Sequence, residues 1–133
     1  EEQRQLEAEI EKKVLEGSYI SGESAVRKFA DLLSANEGKV RSVKRYADEL
    51  CITPKYLSFV SKTVTGKTAL EWIHQSTVKN IERYLSHSNM SIKEIADILE
   101  FPNLSFFGKF TKSHLGVSPT EYRRQQSMKN KNL

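Results

Sequence analysis

Apolar residues recur at the spacing of an α-helix in the stretch 91–124, and this pattern predicts two short helices joined by a turn. Ser91 and Glu94 have the spacing of a capping box that opens the first helix. Pro102 disfavours continuing that helix, and Asn103 is a good N-cap for the second, which we expect to end near Gly116. The residues expected to face inward are Ile92, Ile95, Ala96 and Leu99 in the first helix and Phe106, Phe107 and Phe110 in the second.

The same arrangement occurs earlier in the chain. Ser42 is positioned to cap a short helix, and Thr53 followed by Pro54 is typical of the start of a second helix, which runs to Gly66. The inward-facing residues of that second helix are predicted to be Leu57, Val60 and Val64. The second helices match at an offset of 50 residues and the first helices at an offset of 49, so the later turn is one residue longer. The sequence therefore predicts two copies of one helix-turn-helix unit.

Further helices are predicted around these two units. An amphipathic helix is expected from Ser24 to about Asn36, after a break by composition at 17–22. A long helix from about Ala69 to Leu85 is expected to join the units as a spacer. Capping boxes are expected at Thr68 with Glu71 and at Ser118 with Glu121. The predicted fold is all-α, with a leader helix or linker at 1–22 and one domain at 23–133. Within that domain the first unit covers about 24–67, the linker helix about 68–86 and the second unit about 91–126. The polar tail at 123–133, which overlaps the end of the second unit, is expected to fray.

The second helix of each unit has a polar and basic outer face. Such a face suits a DNA major groove, which presents hydrogen-bonding groups and thymine methyl groups. Lysines at the same place in both copies favour phosphate contacts, and so do the N–H groups at helix N-termini. The residues predicted to face bases are Lys55, Ser58, Phe59, Ser105, Gly108 and Lys109. The residues predicted to contact phosphates are Ser42, Lys62, Ser91 and Lys112. Phe59 has an alternative place in the core, on a broader apolar face.

The pattern S-F-F-G-K-F-x-K-x-x-x-G-x-S-P-x-E-Y-R at 105–123 resembles the signature of the AraC/XylS family of bacterial transcription regulators. The resemblance extends over about 24–124. It implies a domain that binds a double-stranded DNA operator through two helix-turn-helix units and that has RNA polymerase as a further partner. Family members commonly carry a separate sensing or dimerising domain, which has no room in this chain. We expect a fragment whose sensor lay before Glu1, and the alternative is a small stand-alone regulator.

Two residues depart from the family pattern. Glu100 stands in the second turn, where the family usually has glycine, and Thr111 stands where it usually has an aromatic residue. A carboxylate near phosphates and a small residue in the second core both disfavour tight binding by this half. We therefore expect the first unit to carry more of the sequence specificity.

The net charge of +4 is divided unevenly along the chain. Residues 1–40 hold 6 Lys and Arg against 9 Asp and Glu, whereas residues 41–133 hold 15 against 8. The basic part is the one suited to nucleic acid. No apolar run approaches the roughly 20 residues of a membrane span, so we expect a cytoplasmic protein without a membrane partner. Cys51 lies between Leu50 and Ile52 and is expected to be a buried small hydrophobe.

The sequence gives little support for a metal site or for catalysis. His74, His87 and His114 lie in different helices or loops without nearby ligand partners, so we expect no metal and no cofactor. Trp72 and Tyr122, at equivalent places in the repeat, are expected to be core residues. No nucleophile lies in a glycine elbow or a phosphate loop, so we expect no enzyme activity. The alternative to DNA binding is a helical protein-interaction module whose basic face binds an acidic partner.

Overall fold

The structure is a computed structural model that describes Gln5 and residues 19–131, with only the backbone described at 19–21 and 131. This part of the chain forms α-helices and contains no strand. Its helices are α1 (Tyr19–Asn36), α2 (Val43–Glu49), α3 (Pro54–Thr65), α4 (Ala69–His87), α5 (Ile92–Ile98), α6 (Leu104–Leu115) and α7 (Pro119–Lys131). The predicted all-α class with two helix-turn-helix units is thus confirmed. The expected leader helix at 1–16 lies, except for Gln5, outside the described residues.

The first helix begins earlier than predicted. We expected a break at 17–22 and a helix from Ser24. Residues 17 and 18 lie outside the described residues, and α1 (Tyr19–Asn36) continues through Gly22. Gly22 is buried, and a Cβ atom there would lie 3.4 Å from Cγ1 of Val60. Packing against α3 therefore outweighs the weak helix propensity of glycine, which is about 1 kcal/mol worse than that of alanine.

The chain divides into two compact units that are not contiguous in sequence. Among the described residues, the first consists of the part up to Ala35 together with Ser42–Ile73. The second consists of Asn36–Arg41 together with the described part from His74 onward. The first unit contains α2 and α3, and the second contains α5, α6 and α7.

The core of the first unit forms where α1 packs on the helix-turn-helix. Phe29 of α1 and Tyr46 of α2 are both 1% exposed, and their rings meet edge to face with centroids 5.2 Å apart. Leu57 and Val60 of α3 are fully buried, as predicted, whereas Val64 is only half-buried. The inward face of α3 is thus narrower than the sequence pattern indicates.

The core of the second unit is rich in aromatic residues. Phe101 and Phe107 are buried with ring centroids 5.1 Å apart, and Phe110 lies partly buried against the same cluster. The aliphatic members of the cluster are Ile81, Leu85, Ile95, Ala96 and Leu99. Phe110 and Phe101 thus supply aromatic surface in a unit whose position 111 is a threonine.

The repeat also places a hydroxyl at the same buried position of both units. Ser61 of α3 and Thr111 of α6 are each fully buried. The Ser61 hydroxyl donates a 2.8 Å hydrogen bond to the carbonyl of Lys67. Among the residues that the structure describes, the Thr111 hydroxyl has no hydrogen-bond partner. A buried hydroxyl without a partner costs about 1–3 kcal/mol.

The C-terminal segment differs from its prediction. We expected the chain to fray from Arg123, but α7 continues to Lys131. The Arg123 side chain anchors this helix by donating hydrogen bonds to the carbonyls of Leu85, at 3.1 Å, and Met90. A charged side chain that bonds carbonyl groups at a helix C-terminus is favoured by the helix dipole.

The two buried hydroxyls give a matched test of stability. Thr111→Val keeps the shape of the side chain and removes its unpaired hydroxyl, so the free energy of unfolding should rise by about 1 kcal/mol. Ser61→Ala removes a satisfied hydrogen bond at the equivalent position and should lower the free energy of unfolding by about 1 kcal/mol. Urea unfolding followed by circular dichroism measures both variants. A loss of stability in Thr111→Val would contradict the prediction.

Candidate nucleic-acid interface

The turn of each helix-turn-helix unit contains one non-glycine residue in the left-handed conformation. Cys51 has φ of 59° and Glu100 has φ of 57°. In the first turn the N–H groups of Cys51 and Ile52 donate to the carbonyls of Asp48 and Ala47, at 3.1 and 3.0 Å. This is the Schellman arrangement, which satisfies the last carbonyls of a helix. Cys51 is exposed, so the prediction of a buried cysteine is wrong: the geometry of the turn, rather than its apolar neighbours, decides its exposure.

The second turn has the same two hydrogen bonds and is also held by the side chain of Arg41, a contact that we call the Arg41 clamp. The N–H groups of Glu100 and Phe101 donate to the carbonyls of Asp97 and Ala96, at 3.0 and 2.9 Å. The guanidinium of Arg41 donates to the carbonyls of Leu99 and Glu100, both at 2.7 Å. It also lies 3.8 Å from the centroid of the Phe101 ring. Arg41 was not singled out from the sequence, because its partners lie 58 and 59 residues away.

The helices of both units begin at the predicted capping residues. The Ser42 hydroxyl accepts from the N–H of Arg45 at 3.4 Å. Ser91 and Glu94 form the complete capping box, and hydrogen bonds from the N–H and then the hydroxyl of Ser91 hold the pKa of Glu94 below its usual value. The second helices begin with equally local bonds: Thr53 accepts from the N–H of Tyr56 at 3.0 Å, and Asn103 from that of Phe106 at 2.9 Å. These four predictions are confirmed, because the signals are local in sequence.

The capping boxes that follow each unit are formed to different extents. Thr68 and Glu71 accept each other's backbone N–H, at 3.2 and 3.4 Å. Ser118 accepts from the N–H of Glu121 at 3.2 Å. The carboxylate of Glu121 instead pairs with Arg124, which lowers the pKa of Glu121. In the second box, therefore, the Ser118 hydroxyl caps the helix but the Glu121 carboxylate has a different partner.

The outer face of α3 carries four of the predicted contact residues. Lys55, Ser58, Phe59 and Lys62 occur at intervals of three and four residues, so they share one face of the helix. Lys62 is exposed, and the other three are half-buried. Because Phe59 is half-buried, part of its side chain remains accessible on this face.

The outer face of α6 carries the equivalent set. Ser105, Lys109 and Lys112 are exposed and occur at intervals of four and three residues. Gly108 lies in the middle of the helix, and a Cβ atom built there would meet nothing within 4 Å. Nothing in the described part of the chain therefore requires a glycine at this position. Within each unit, the structure brings the predicted base-facing residues and the second-helix lysine to one face of one helix.

One predicted core residue lies on this outer surface. Phe106 was expected to point inward with Phe107 and Phe110, but its side chain is 59% exposed. Phe107 is fully buried and Phe110 is half-buried. Position 106 lies about 100° around the helix from position 107, so one face cannot bury both residues equally.

Two histidines that the sequence analysis treated as separate are neighbours in the second unit. The rings of His74 and His114 have centroids 5.0 Å apart, and the Phe110 ring stacks on His114 at 4.1 Å. Burial first, and then the charges of His114 and Arg41, lower the pKa of His74. The described residues contain no group of three or more His, Cys, Asp or Glu that could hold a metal ion. The histidine pair is part of the packing between α4 and α6.

Trp72 and Tyr122 are less buried than predicted. Both side chains are half-buried, and each polar group has a partner. The indole N–H of Trp72 donates to Thr65 at 2.8 Å, and the hydroxyl of Tyr122 donates to Glu82 at 3.0 Å. Burial, followed by the nearby carboxylate of Glu82, raises the pKa of the Tyr122 hydroxyl. Each ring closes the edge of its unit and not its centre.

The chain is similar to known proteins both in sequence and in fold. Residues 46–125 match the family described as "Helix-turn-helix domain". The chain is 26% identical over 111 residues to the Msm operon regulatory protein of Streptococcus mutans, covering 84% of this chain and 40% of that protein. It is 25% identical over 99 residues to the arabinose operon regulatory protein of Salmonella typhimurium, covering 74% and 34%. The DNA-binding domain of AdpA, solved in complex with a target DNA, has the same fold, with a TM-score of 0.67 and 21% identity over 79% of this chain and 94% of that one.

Two helix-turn-helix units, each with polar residues on the outer face of its second helix, define the class: a tandem helix-turn-helix DNA-binding domain of a transcription regulator. The chain belongs to the AraC/XylS family. It spans 40% and 34% of the length of the two relatives named above. No helix in the described residues is both long enough and apolar enough to cross a membrane.

The two left-handed residues give a matched test of the turn. A left-handed side chain costs roughly 1–2 kcal/mol, and the extra flexibility of glycine offsets about 0.5–1 kcal/mol of the gain, so Cys51→Gly and Glu100→Gly should each stabilise the fold by up to about 1 kcal/mol. Only the second change removes a negative charge. We therefore expect Glu100→Gly to bind an operator more tightly, most visibly at low salt, and Cys51→Gly to leave binding unchanged.

A third variant separates charge from backbone strain. Glu100→Gln removes the charge but keeps a side chain in the left-handed conformation. Titrations of all three variants on one operator duplex at two salt concentrations should show tighter binding for both changes at position 100. If Glu100→Gln binds like the parent chain, the carboxylate points away from the phosphates.

Proposed function

We propose that this domain regulates transcription by placing α3 and α6 in successive major grooves of one asymmetric operator. Successive major grooves on one side of a duplex are about 34 Å apart, so the operator should cover about 20 base pairs and be bound by a single chain. The DNA complex described for the AdpA domain supports a duplex as the ligand of this fold. The duplicated outer faces of α3 and α6 are the observation that carries the proposal.

The residues on these faces take different roles in the proposal. Lys55, Ser58 and Phe59 of α3 contact base edges in one groove, and Ser105, Gly108 and Lys109 of α6 contact base edges in the other. Lys donates well to guanine, Ser is adaptable, and an apolar side chain suits the thymine methyl group. The greater share of specificity is assigned to the first unit, because the second unit carries Glu100 in its turn and Thr111 in place of an aromatic residue.

Phosphate contacts fix the register of the domain without reading sequence. Lys62 and Lys112 are exposed at equivalent places near the C-termini of α3 and α6 and supply two such contacts. Ser42 and Ser91 stand at the starts of α2 and α5, where their side chains already cap the helix. In the proposal they therefore meet phosphate oxygens through the backbone at those ends.

The proposal extends to the whole regulator. RNA polymerase is the expected protein partner, and a sensing or dimerising domain is expected to belong to the complete protein. The site of action is the cytoplasm, and the domain acts by binding and not by catalysis. The competing function is a protein-interaction module that uses the same basic faces for an acidic partner, and the experiment below distinguishes the two.

The dependence of binding on salt tests the DNA-binding proposal. A duplex selected from a random library should be footprinted over about 20 base pairs without a palindrome, and affinity should fall steeply with salt. Lys62→Ala and Lys112→Ala should each lower affinity on every sequence and reduce the salt slope by about 0.9. Lys28→Ala, an exposed lysine of α1, is the matched control and should leave the slope unchanged. Failure to select any duplex would support the protein-interaction alternative.

Gly108 offers a test in which stability and binding change in opposite directions. Alanine has about 1 kcal/mol better helix propensity, and the added Cβ has open space in the protein, so Gly108→Ala should stabilise the fold. If DNA approaches the helix closely here, the methyl group must be accommodated at a cost of about 1–3 kcal/mol, and affinity should fall about tenfold.

A control variant in α7 tests whether the effect is specific to position 108. Ser127→Ala also replaces an exposed helical residue by alanine, so it should raise stability slightly without changing affinity. Thermal unfolding and operator titration are measured on both variants. Unchanged affinity in Gly108→Ala would remove this glycine from the interface.

A further inference from the structure

The outer face of α6 ends in an aromatic side chain that the core does not use. Phe106 is 59% exposed, although it lies in the first turn of a helix whose neighbouring Phe107 is completely buried. Exposing a large apolar side chain forgoes most of the roughly 1.5–3 kcal/mol that its burial would contribute. A surface phenylalanine in this place therefore suggests a contact outside the chain.

The core explains why Phe106 remains outside. Phe101 and Phe107 occupy the buried cluster, and Phe110 packs at its edge with its ring 5.5 Å from that of Phe101. Asn103 fixes the start of α6 by accepting the N–H of Phe106 itself, at 2.9 Å. With the helix start fixed in this way, position 106 lies about 100° around the helix from position 107, and its side chain remains largely exposed.

The position of Phe106 relates it to the proposed base-reading residues. It follows Ser105 and precedes Lys109 by three residues, which is one turn of the helix, so Phe106 and Lys109 are surface neighbours. Both Ser105 and Lys109 are exposed. Residues in the first turns of a recognition helix are those that reach base edges in the major groove.

We propose that Phe106 is a specificity-determining residue that reads the C5 methyl group of a thymine in the half-site bound by α6. The methyl group is the apolar feature of the major groove, and it distinguishes thymine from the other bases there. Contact with it covers apolar surface on both partners. This inference rests on the proposed function, because it requires α6 to enter a major groove.

The internal repeat shows that this feature belongs to the second unit. The residue equivalent to Phe106 in α3 is Tyr56, which is half-buried. In α3 the candidate for an apolar base contact is instead Phe59, three residues later in the helix. The two recognition helices would therefore present their aromatic groups at different positions along the helix. Their half-sites should differ in sequence for that reason.

Replacing thymine by uracil provides a direct test, because uracil lacks only the C5 methyl group. Each thymine in the α6 half-site of a selected operator duplex is changed singly to uracil, and each duplex is titrated with the parent chain and with Phe106→Ala. We expect one position at which uracil weakens the parent about fourfold, the value of one buried methyl group. Phe106→Ala should bind the thymine duplex about as weakly and show no further loss with uracil.

Control variants separate base reading from folding and from nonspecific apolar contact. Phe106→Leu should retain part of the sensitivity to uracil. Met128→Ala removes a side chain that is 52% exposed on α7 and should keep the full sensitivity. Because Phe106 is largely exposed, thermal unfolding of Phe106→Ala should match that of the parent.

The possible outcomes distinguish this inference from the proposed function. If no duplex is selected, or binding has no steep salt dependence, the proposed function fails and the inference fails with it. If the parent binds a selected operator specifically but no uracil changes its affinity, or if Phe106→Ala keeps the parent's sensitivity, only the role of Phe106 is overturned. An operator without thymine in the α6 half-site would overturn it as well.

Discussion

The helix-turn-helix geometry of both units depends on one residue per turn that holds a positive φ angle. Cys51 and Glu100 adopt this conformation, and each allows two successive N–H groups to satisfy the last carbonyls of the preceding helix. The direction of the next helix follows from that reversal, and so does the face that the helix presents to solvent. Neither turn uses glycine, the residue that tolerates this conformation best, so surrounding contacts must hold each backbone in place. In the second turn, Arg41 supplies part of that support through two carbonyl bonds.

The sequence predicted the features that depend on local signals. The helix starts at Thr53, Ser91 and Asn103 follow from capping residues that act within three positions, and the structure has all of them. The extra residue of the second turn also followed from the change of offset between the repeats. The break expected at 17–22 was wrong for its described part, 19–22, because composition does not report the packing of Gly22 against Val60.

The errors at the candidate site have a common physical origin. Helical periodicity showed that α6 has an apolar side, but it could not rank three nearby phenylalanines by burial, and Phe106 was assigned inward. An apolar neighbourhood likewise indicated a buried Cys51, although its conformation in the turn leaves it exposed. The Arg41 clamp was missed because its acceptors are backbone carbonyls, which have no signature in sequence. The exposure of Lys62, Ser105, Lys109 and Lys112 was easier to predict, since polar residues at helical spacing need no knowledge of distant contacts.

The division of the chain into two units determines which segments must stay together when the domain is truncated or recombined. Residues 36–41 precede α2 in sequence, yet they belong to the second unit, and Arg41 brings its guanidinium to the Leu99 and Glu100 carbonyls. A cut within the linker helix α4 would therefore leave the second helix-turn-helix without part of its own structure. The two helix-turn-helix copies are contiguous in sequence, but the second compact unit is not. Exchange of the second unit between relatives would have to carry this six-residue segment with it, as a separate insertion upstream of α2.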